Sequence, residues 1–243
     1  MKAFLKRILP RAISVRLGVL SGKIRGWYLR HFRRDFSESG ETVAVRRILQ
    51  GIAEPTFVEI GANDGVTVST TYGLLLDGWS GLAVEANPRV FEKLQRNLAA
   101  FPKVTAVCCA ASPQAGPVKL FLGNNDPDGL LSTIATEDSA WFRKYRSAEF
   151  VEVPGLPLTE LLAQHRIPRR FGLLMVDTEG MDLEILRTLD FSEFRPRLIV
   201  TEDYEPKDEQ KYALLESAGY AFRQRIGCNS FWRDTGDEGA QGS

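Results

Sequence analysis

The first 34 residues of this 243-residue chain contain no acidic side chain. They hold ten basic ones: Lys2, Lys6, Arg7, Arg11, Arg16, Lys23, Arg25, Arg30, Arg33 and Arg34. The whole chain balances 31 Lys+Arg against 31 Asp+Glu. Its formal charge of zero is therefore a +10 arm joined to a −10 body. Cysteine is scarce too. Three cysteines cannot frame a disulfide scaffold, and neither the adjacent Cys108 and Cys109 nor the distant Cys228 has zinc-ligand spacing. A reducing compartment is expected, and the chain reads as cytoplasmic. There are two histidines, His31 and His165, and neither ends a strand-like apolar run, so a histidine base is not expected. No run of about 18 apolar residues occurs, which excludes an obvious spanning helix. Pro10, Arg11 and Arg16 cut the apolar stretches near the start, so no secretory signal is expected. With 44% hydrophobic and 26% charged residues the chain is neither disordered nor fibrous.

What is present reads as one ordinary domain with appendages. Residues 1–50 form a basic, helical arm, 51–234 a single domain with an insertion near 123–147, and 235–243 a polar, Gly-rich, flexible tail. Within the domain, short apolar runs alternate with amphipathic stretches. Strands are expected at 56–60, 81–84, 104–110, 172–176 and 198–201. Helices are expected at 66–76, 88–100, 158–165, 179–189 and 208–218. Extra strands at 118–122 and 149–153 flank the insertion, and 220–226 and 230–233 close the domain. This order predicts an α/β fold with a mostly parallel, doubly wound sheet and helices on both faces. In such sheets ligands bind beyond the carboxyl ends of the strands.

Four strand ends carry chemistry. The first turn reads Glu59-Ile60-Gly61-Ala62-Asn63-Asp64-Gly65, an E-x-G-x-x-x-G pattern that differs from the G-x-G-x-x-G of dinucleotide binders. Its glycines permit a sharp turn, and an acid before the first of them suits an ammonium better than a pyrophosphate. Taken alone it is also compatible with a plain Gly-rich turn. Glu85 ends the next strand, 20 residues after Gly65, where an acid can accept both hydroxyls of a ribose. The third end, from Asp177 through Thr178, Glu179, Gly180 and Met181 to Asp182, has Glu179 at an expected helix start, where capping alone would favour an acid. The fourth is Thr201-Glu202-Asp203. If the last two strands are neighbours, Asp177, Glu202 and Asp203 meet at one rim and need a cation or a proton between them. They are the candidate Mg²⁺ ligands, with solvated strand-end acids as the plain alternative.

These stretches together resemble the FkbM family of S-adenosylmethionine-dependent methyltransferases. The likeness runs through Phe57 to Gly65, Val84-Glu85-Ala86-Asn87-Pro88 with Phe91, Leu94 and Asn97, and Met175 to Leu186, in order over about residues 55–205. It implies a Rossmann-like class I methyltransferase fold, a seven-stranded sheet whose last strand is antiparallel. It implies S-adenosylmethionine at Glu59, Gly61, Ala62, Asn63, Asp64, Gly65, Glu85 and Ala86. It implies O-methylation, commonly of sugar or polyketide hydroxyls. The basic arm lies outside the pattern.

The acceptor side follows from the chemistry. A hydroxyl needs a base or a metal before it attacks a sulfonium methyl. With histidine excluded, Asp177, Glu179 and Asp203 are the catalytic candidates, and base, metal ligand and orienter are all open roles. The insertion offers Asn124, Asn125, Asp126, Asp128, Ser132 and Thr133, which suit a sugar. Trp141, Phe142, Arg143, Lys144, Tyr145 and Arg146 read either as an acceptor surface or as a solvated amphipathic helix. Phe4, Leu5, Ile8, Ala12 and Val15 share one side of the arm's helix, which suits a peripheral membrane contact through residues 1–34. Without a reading motif, and with an acidic body, nucleic acid is not an expected partner. The competing functions are an NAD-dependent oxidoreductase or epimerase and a non-catalytic binding module on the same fold.

Overall fold

The computed structural model describes residues 34–240, apart from 54, 125, 127, 128, 136–145 and 204–207. Expectations for residues 1–33, and for the side chains of Asn125, Asp128 and 141–146, lie outside what it describes. Helix α1 (Glu41–Ile48) leads into strand β1 (Thr56–Ile60), helix α2 (Tyr72–Leu76), β2 (Ser80–Glu85), α3 (Pro88–Leu98) and β3 (Val104–Cys108). Next come β4 (Ala110–Ala111), β5 (Gly116–Gly123) and β6 (Arg146–Leu156). The second half runs α4 (Leu158–Gln164), β7 (Arg170–Val176), α5 (Asp182–Leu186), β8 (Arg195–Glu202), α6 (Glu209–Ser217), β9 (Tyr220–Ile226) and β10 (Asn229–Asp234).

Seven strands form the main sheet in the order β3-β2-β1-β7-β8-β10-β9. Neighbours from β3 to β8 are parallel, and β10 runs antiparallel to both β8 and β9. This is the arrangement implied by the resemblance. Every residue of β1 is buried, because both faces of the sheet are covered. The period-2 alternation of a strand then splits its side chains between two cores. Val58 and Ile60 pack with Leu161 of α4, Ile185 of α5 and Leu215 of α6. Phe57 packs on the other face with Val45 of α1, Leu74 of α2 and Leu94 of α3. In α3, Val90, Leu94 and Leu98 are the buried stripe, and Asn87 caps it by accepting from the Arg89 amide at 3.1 Å. A separate three-stranded sheet, β4-β6-β5, has its own small core of Ala110, Leu120 and Val153. Among the described residues no helix is long and apolar enough to cross a membrane.

Three expectations are corrected. The helix expected over 66–76 begins only at Tyr72. Asp64 Oδ1 takes the amides of Val66 and Thr67 at 2.9 and 2.7 Å, and Val68 is left-handed at φ 55°, so the chain turns before it coils. The helix expected over 179–189 is α5 alone, because Glu179 (φ 53°) and Gly180 (φ 99°) are both left-handed. Of the tail expected to be flexible, Thr235–Ala240 forms a 3₁₀ turn, and residues 241–243 lie outside the described ones. The turn's anchor is the buried Asp237, which accepts from Arg170 at 2.7 Å and pairs with Arg197 and Arg233.

Candidate active site

The strand order reverses between β1 and β7. β1 continues to β2 on one side, and β7 enters on the other, so a crevice opens beyond their carboxyl ends. Backbone bonds pin the crevice floor: Asp177 N donates to Ile60 O at 3.0 Å, and Gly61 N and Ala62 N donate to Val84 O at 3.0 and 2.9 Å. Gly61 sits at φ 83°, and a Cβ there would stand 1.9 Å from the Asp177 carbonyl oxygen. Its missing side chain is what lets the β1 turn close on β7.

A cleft lies over this floor. Its walls include Gly61, Asn63, Glu85, Ala86, Asp177 and Glu179, six of the residues singled out in the sequence. Cys109, Leu120, Leu130 and Ile134 lie on its apolar side. At one end the Glu85 carboxylate accepts from Asn63 N at 2.9 Å and Asn87 N at 2.7 Å. These bonds aim the carboxylate and leave lone pairs for a ligand's hydroxyls. Burial pushes the Glu85 carboxyl up to about 7, against the pull of those amides.

At the other end stand Asp177 and Glu179. Burial, then the nearby Asp182 charge, pushes Asp177 up to about 7, while Lys211 pulls it down. Burial, then Asp177, Asp182 and Asp126, pushes Glu179 up to about 8. Glu179 Oε2 is buried without a hydrogen-bond partner among the described residues. The Glu179 turn is held from above: Thr133 Oγ1 donates to Glu179 O at 3.0 Å, and Asn87 Nδ2 donates to Ser132 Oγ at 3.2 Å. A strap over 129–135 therefore crosses the cleft from the Glu85 end to the Glu179 end.

Other sequence candidates sit elsewhere. Glu59 faces the α2 side, buried, and accepts from Thr71 Oγ1 at 2.6 Å. Burial pushes it up to about 8, so it is mostly a neutral acid at pH 7. Ala62 is in the core against that face. Asp64 shapes its own turn, and Gly65 makes room for α3, with Leu94 Cδ1 2.7 Å from where its Cβ would be. The expected cation set of Asp177, Glu202 and Asp203 is also corrected. Asp177, Glu179 and Glu202 bring oxygens within 4.8 Å of one another. Asp203 turns to the opposite face of β8 and accepts from Tyr212 OH at 2.7 Å. Sequence reasoning passed over Asp182, which lies in the quoted motif but reads as a helix-capping acid. Asn87 was likewise legible only as a helix start.

The Methyltransferase FkbM domain model matches residues 59–224, more than half of the chain. Methyltransferase sdnD of Sordaria araneosa is 29% identical over 195 residues, covering 69% of this chain and 74% of that protein. Solved structures similar to the chain include precorrin-6y C5,15-methyltransferase of Geobacter metallireducens GS-15, with a TM-score of 0.44 and 14% identity over 79% of this chain and 84% of that one. Aeropyrum pernix fibrillarin, solved with natively bound S-adenosyl-L-methionine, gives a TM-score of 0.42 and 12% identity over 78% of this chain and 72% of that one. The oxidoreductase and the non-catalytic module are set aside by the family match. The chain belongs to the FkbM methyltransferase domain family and is an S-adenosylmethionine-dependent methyltransferase.

Proposed function

We propose that this enzyme methylates a hydroxyl of a sugar, a glycan or a related small molecule. The observation that carries the reading is the pair of carboxyls, Asp177 and Glu179, on the cleft wall opposite the Glu85 end. When bound, S-adenosylmethionine supplies a sulfonium-activated methyl for in-line displacement. Glu85 would hold its ribose diol, and the turn at Gly61 and Asn63 would lie along it. The chain's own task is to align the acceptor and take its proton. Carboxyls raised to about 7 and 8 are matched to a proton transfer near neutral pH. Asp177 or Glu179 accepts the hydroxyl proton as the oxygen forms its bond to the methyl, and the partner carboxyl orients the hydroxyl. Asn124, Asp126, Ser132 and Thr133, in and beside the strap, supply polar groups suited to a sugar. The acid-free residues 1–34 suit an anionic membrane surface, where a lipid-linked acceptor would be presented.

A second reading has a Mg²⁺ ion held by Asp177, Glu179 and Glu202. It draws on the 4.8 Å grouping of their oxygens, which suits a hard cation.

An acceptor screen by mass, run with and without a chelator, tests both readings. The proposal expects hydroxyl acceptors to gain one methyl and chelation to leave turnover unchanged. Asp177→Asn and Glu179→Gln should each cost about 100-fold or more in turnover. Methylation confined to nitrogen or sulfur acceptors would sink the hydroxyl reading. Loss of turnover on chelation, restored by Mg²⁺, would favour the metal. Flotation with anionic vesicles tests the arm: deleting residues 1–34 should abolish binding, and unchanged binding refutes that contact.

A further inference from the structure

Asp182 opens α5, yet it does not serve that helix. A capping carboxylate accepts from amides of its own first turn. The Asp182 oxygens point away from it, in two directions. Oδ1 accepts from Thr178 N at 3.0 Å and Thr178 Oγ1 at 2.7 Å. Oδ2 accepts from Thr201 Oγ1 at 2.6 Å and Glu202 N at 3.0 Å. One buried carboxylate therefore receives four hydrogen bonds, two from the end of β7 and two from the end of β8.

The bonded residues border the reacting groups on every side. Thr178 lies between Asp177 and Glu179. Thr201 precedes Glu202, whose oxygen lies within 4.8 Å of both acids. Glu179 and Gly180 are consecutive left-handed residues, a conformation that costs a non-glycine residue free energy unless its surroundings impose it. The Asp182 bonds, with Thr133 Oγ1 on the Glu179 carbonyl, impose it here. We propose that Asp182 is a positioning residue: its carboxylate clamps the ends of β7 and β8 together and so sets where the Asp177 and Glu179 carboxyls stand relative to the transferred methyl. The inference rests on the roles given to Asp177 and Glu179 under the proposed function. An aspartate five residues after Asp177, with a hydroxyl on each strand end, is what the clamp requires.

The test needs no acceptor. S-adenosylhomocysteine lacks the methyl, and sinefungin carries an amine in that region. A cationic amine there reads the placement of the two carboxyls, and the ratio of the two affinities cancels the rest of the pocket. Calorimetry on the full chain should give wild type at least a tenfold preference for sinefungin. Asp177→Asn and Glu179→Gln should each erode it. Asp182→Asn should lower it about tenfold, with S-adenosylhomocysteine binding changed less than threefold. A loss shared equally by both ligands would mark a merely structural role and overturn the inference. So would an unchanged ratio in Asp182→Asn while Asp177→Asn reduces it. Equal affinities in wild type would remove the reading of Asp177 and Glu179, and the clamp with it. Should Asp182→Asn not fold, Thr201→Val against Thr201→Ser carries the test. Serine keeps the hydroxyl and should keep the ratio, valine should lower it about threefold, and equal ratios refute the clamp.

Discussion

Replacing Gly61 with alanine would put a methyl 1.9 Å from the Asp177 carbonyl oxygen and 3.1 Å from its carbonyl carbon. Both atoms are backbone, so no rotamer relieves the contact, and β1 and β7 must part. The left-handed φ of 83° costs an alanine about 1–2 kcal/mol, and the overpacking adds about 1–3 kcal/mol. The total is about 2–5 kcal/mol. Gly78 supplies the control. Its φ is 86°, but nothing lies within 4 Å of where its Cβ would be, so Gly78→Ala carries only the conformational part, about 1–2 kcal/mol. Urea denaturation of the two variants and wild type measures the difference, provided the m-values agree. The donor site reports separately. The parted strands carry Asn63 N away from Glu85, so Gly61→Ala should weaken S-adenosylmethionine by about tenfold or more, about 1.4 kcal/mol, and Gly78→Ala should not. Equal stability losses in the two variants would refute the argument that Gly61 exists for the β1–β7 approach.

Three further outcomes are expected. Donor affinity should fall as pH drops below about 7, because Glu85 protonates there and loses an acceptor for the diol; Glu85→Gln should be weaker and fall less steeply across the same range, with Asp177 and Glu179 supplying the remaining slope. Without ligand, Tm should decline as pH rises from about 4.5 to 8. Glu59, Glu85, Asp177 and Glu179 all have folded values raised to about 7 or 8, so the folded state binds more protons than the unfolded one across that window, and their contribution is lost as pH climbs through it. A Tm that rose steadily over that window would contradict the burial assigned to these four acids. Asp237→Asn should cost about 1–3 kcal/mol by weakening the anchor of Arg170, Arg197 and Arg233, with donor affinity intact because those arginines stand at the opposite end of the sheet. Unchanged thermal stability in that variant would place the turn after β10 back among frayed tails.

The strands were legible because burial on both faces forces continuous apolar runs such as Phe171–Val176, and a run of that kind survives without knowing its neighbours. Glu85 was legible for a related reason: its place at a strand end follows from chain order. Helix boundaries were harder. Whether residues 66–71 coil depends on where the Asp64 carboxylate points, and composition does not encode that direction. Face assignments failed in the same way. Glu202 and Asp203 are adjacent in sequence but point to opposite sides at the end of β8, so a rim of three acids read from spacing alone rightly joined Glu202 to Asp177 and put Asp203 where Glu179 stands. Asp182 was hidden because its partners lie 4, 19 and 20 residues away on two other segments.

The small sheet of β4, β5 and β6 has a consequence for how such enzymes diversify. Its core of Ala110, Leu120 and Val153 is separate from the two cores that hold the main sheet. The strap that roofs the cleft springs from this sheet, through the backbone pairing of Phe121 with Thr133 at 2.8 and 3.0 Å. Exchange of residues 112–155 would therefore swap the roof of the cleft while leaving the Gly61 turn and the buried residues of both main cores in place. An enzyme exchanged at those two seams would keep its chemistry and change its appetite.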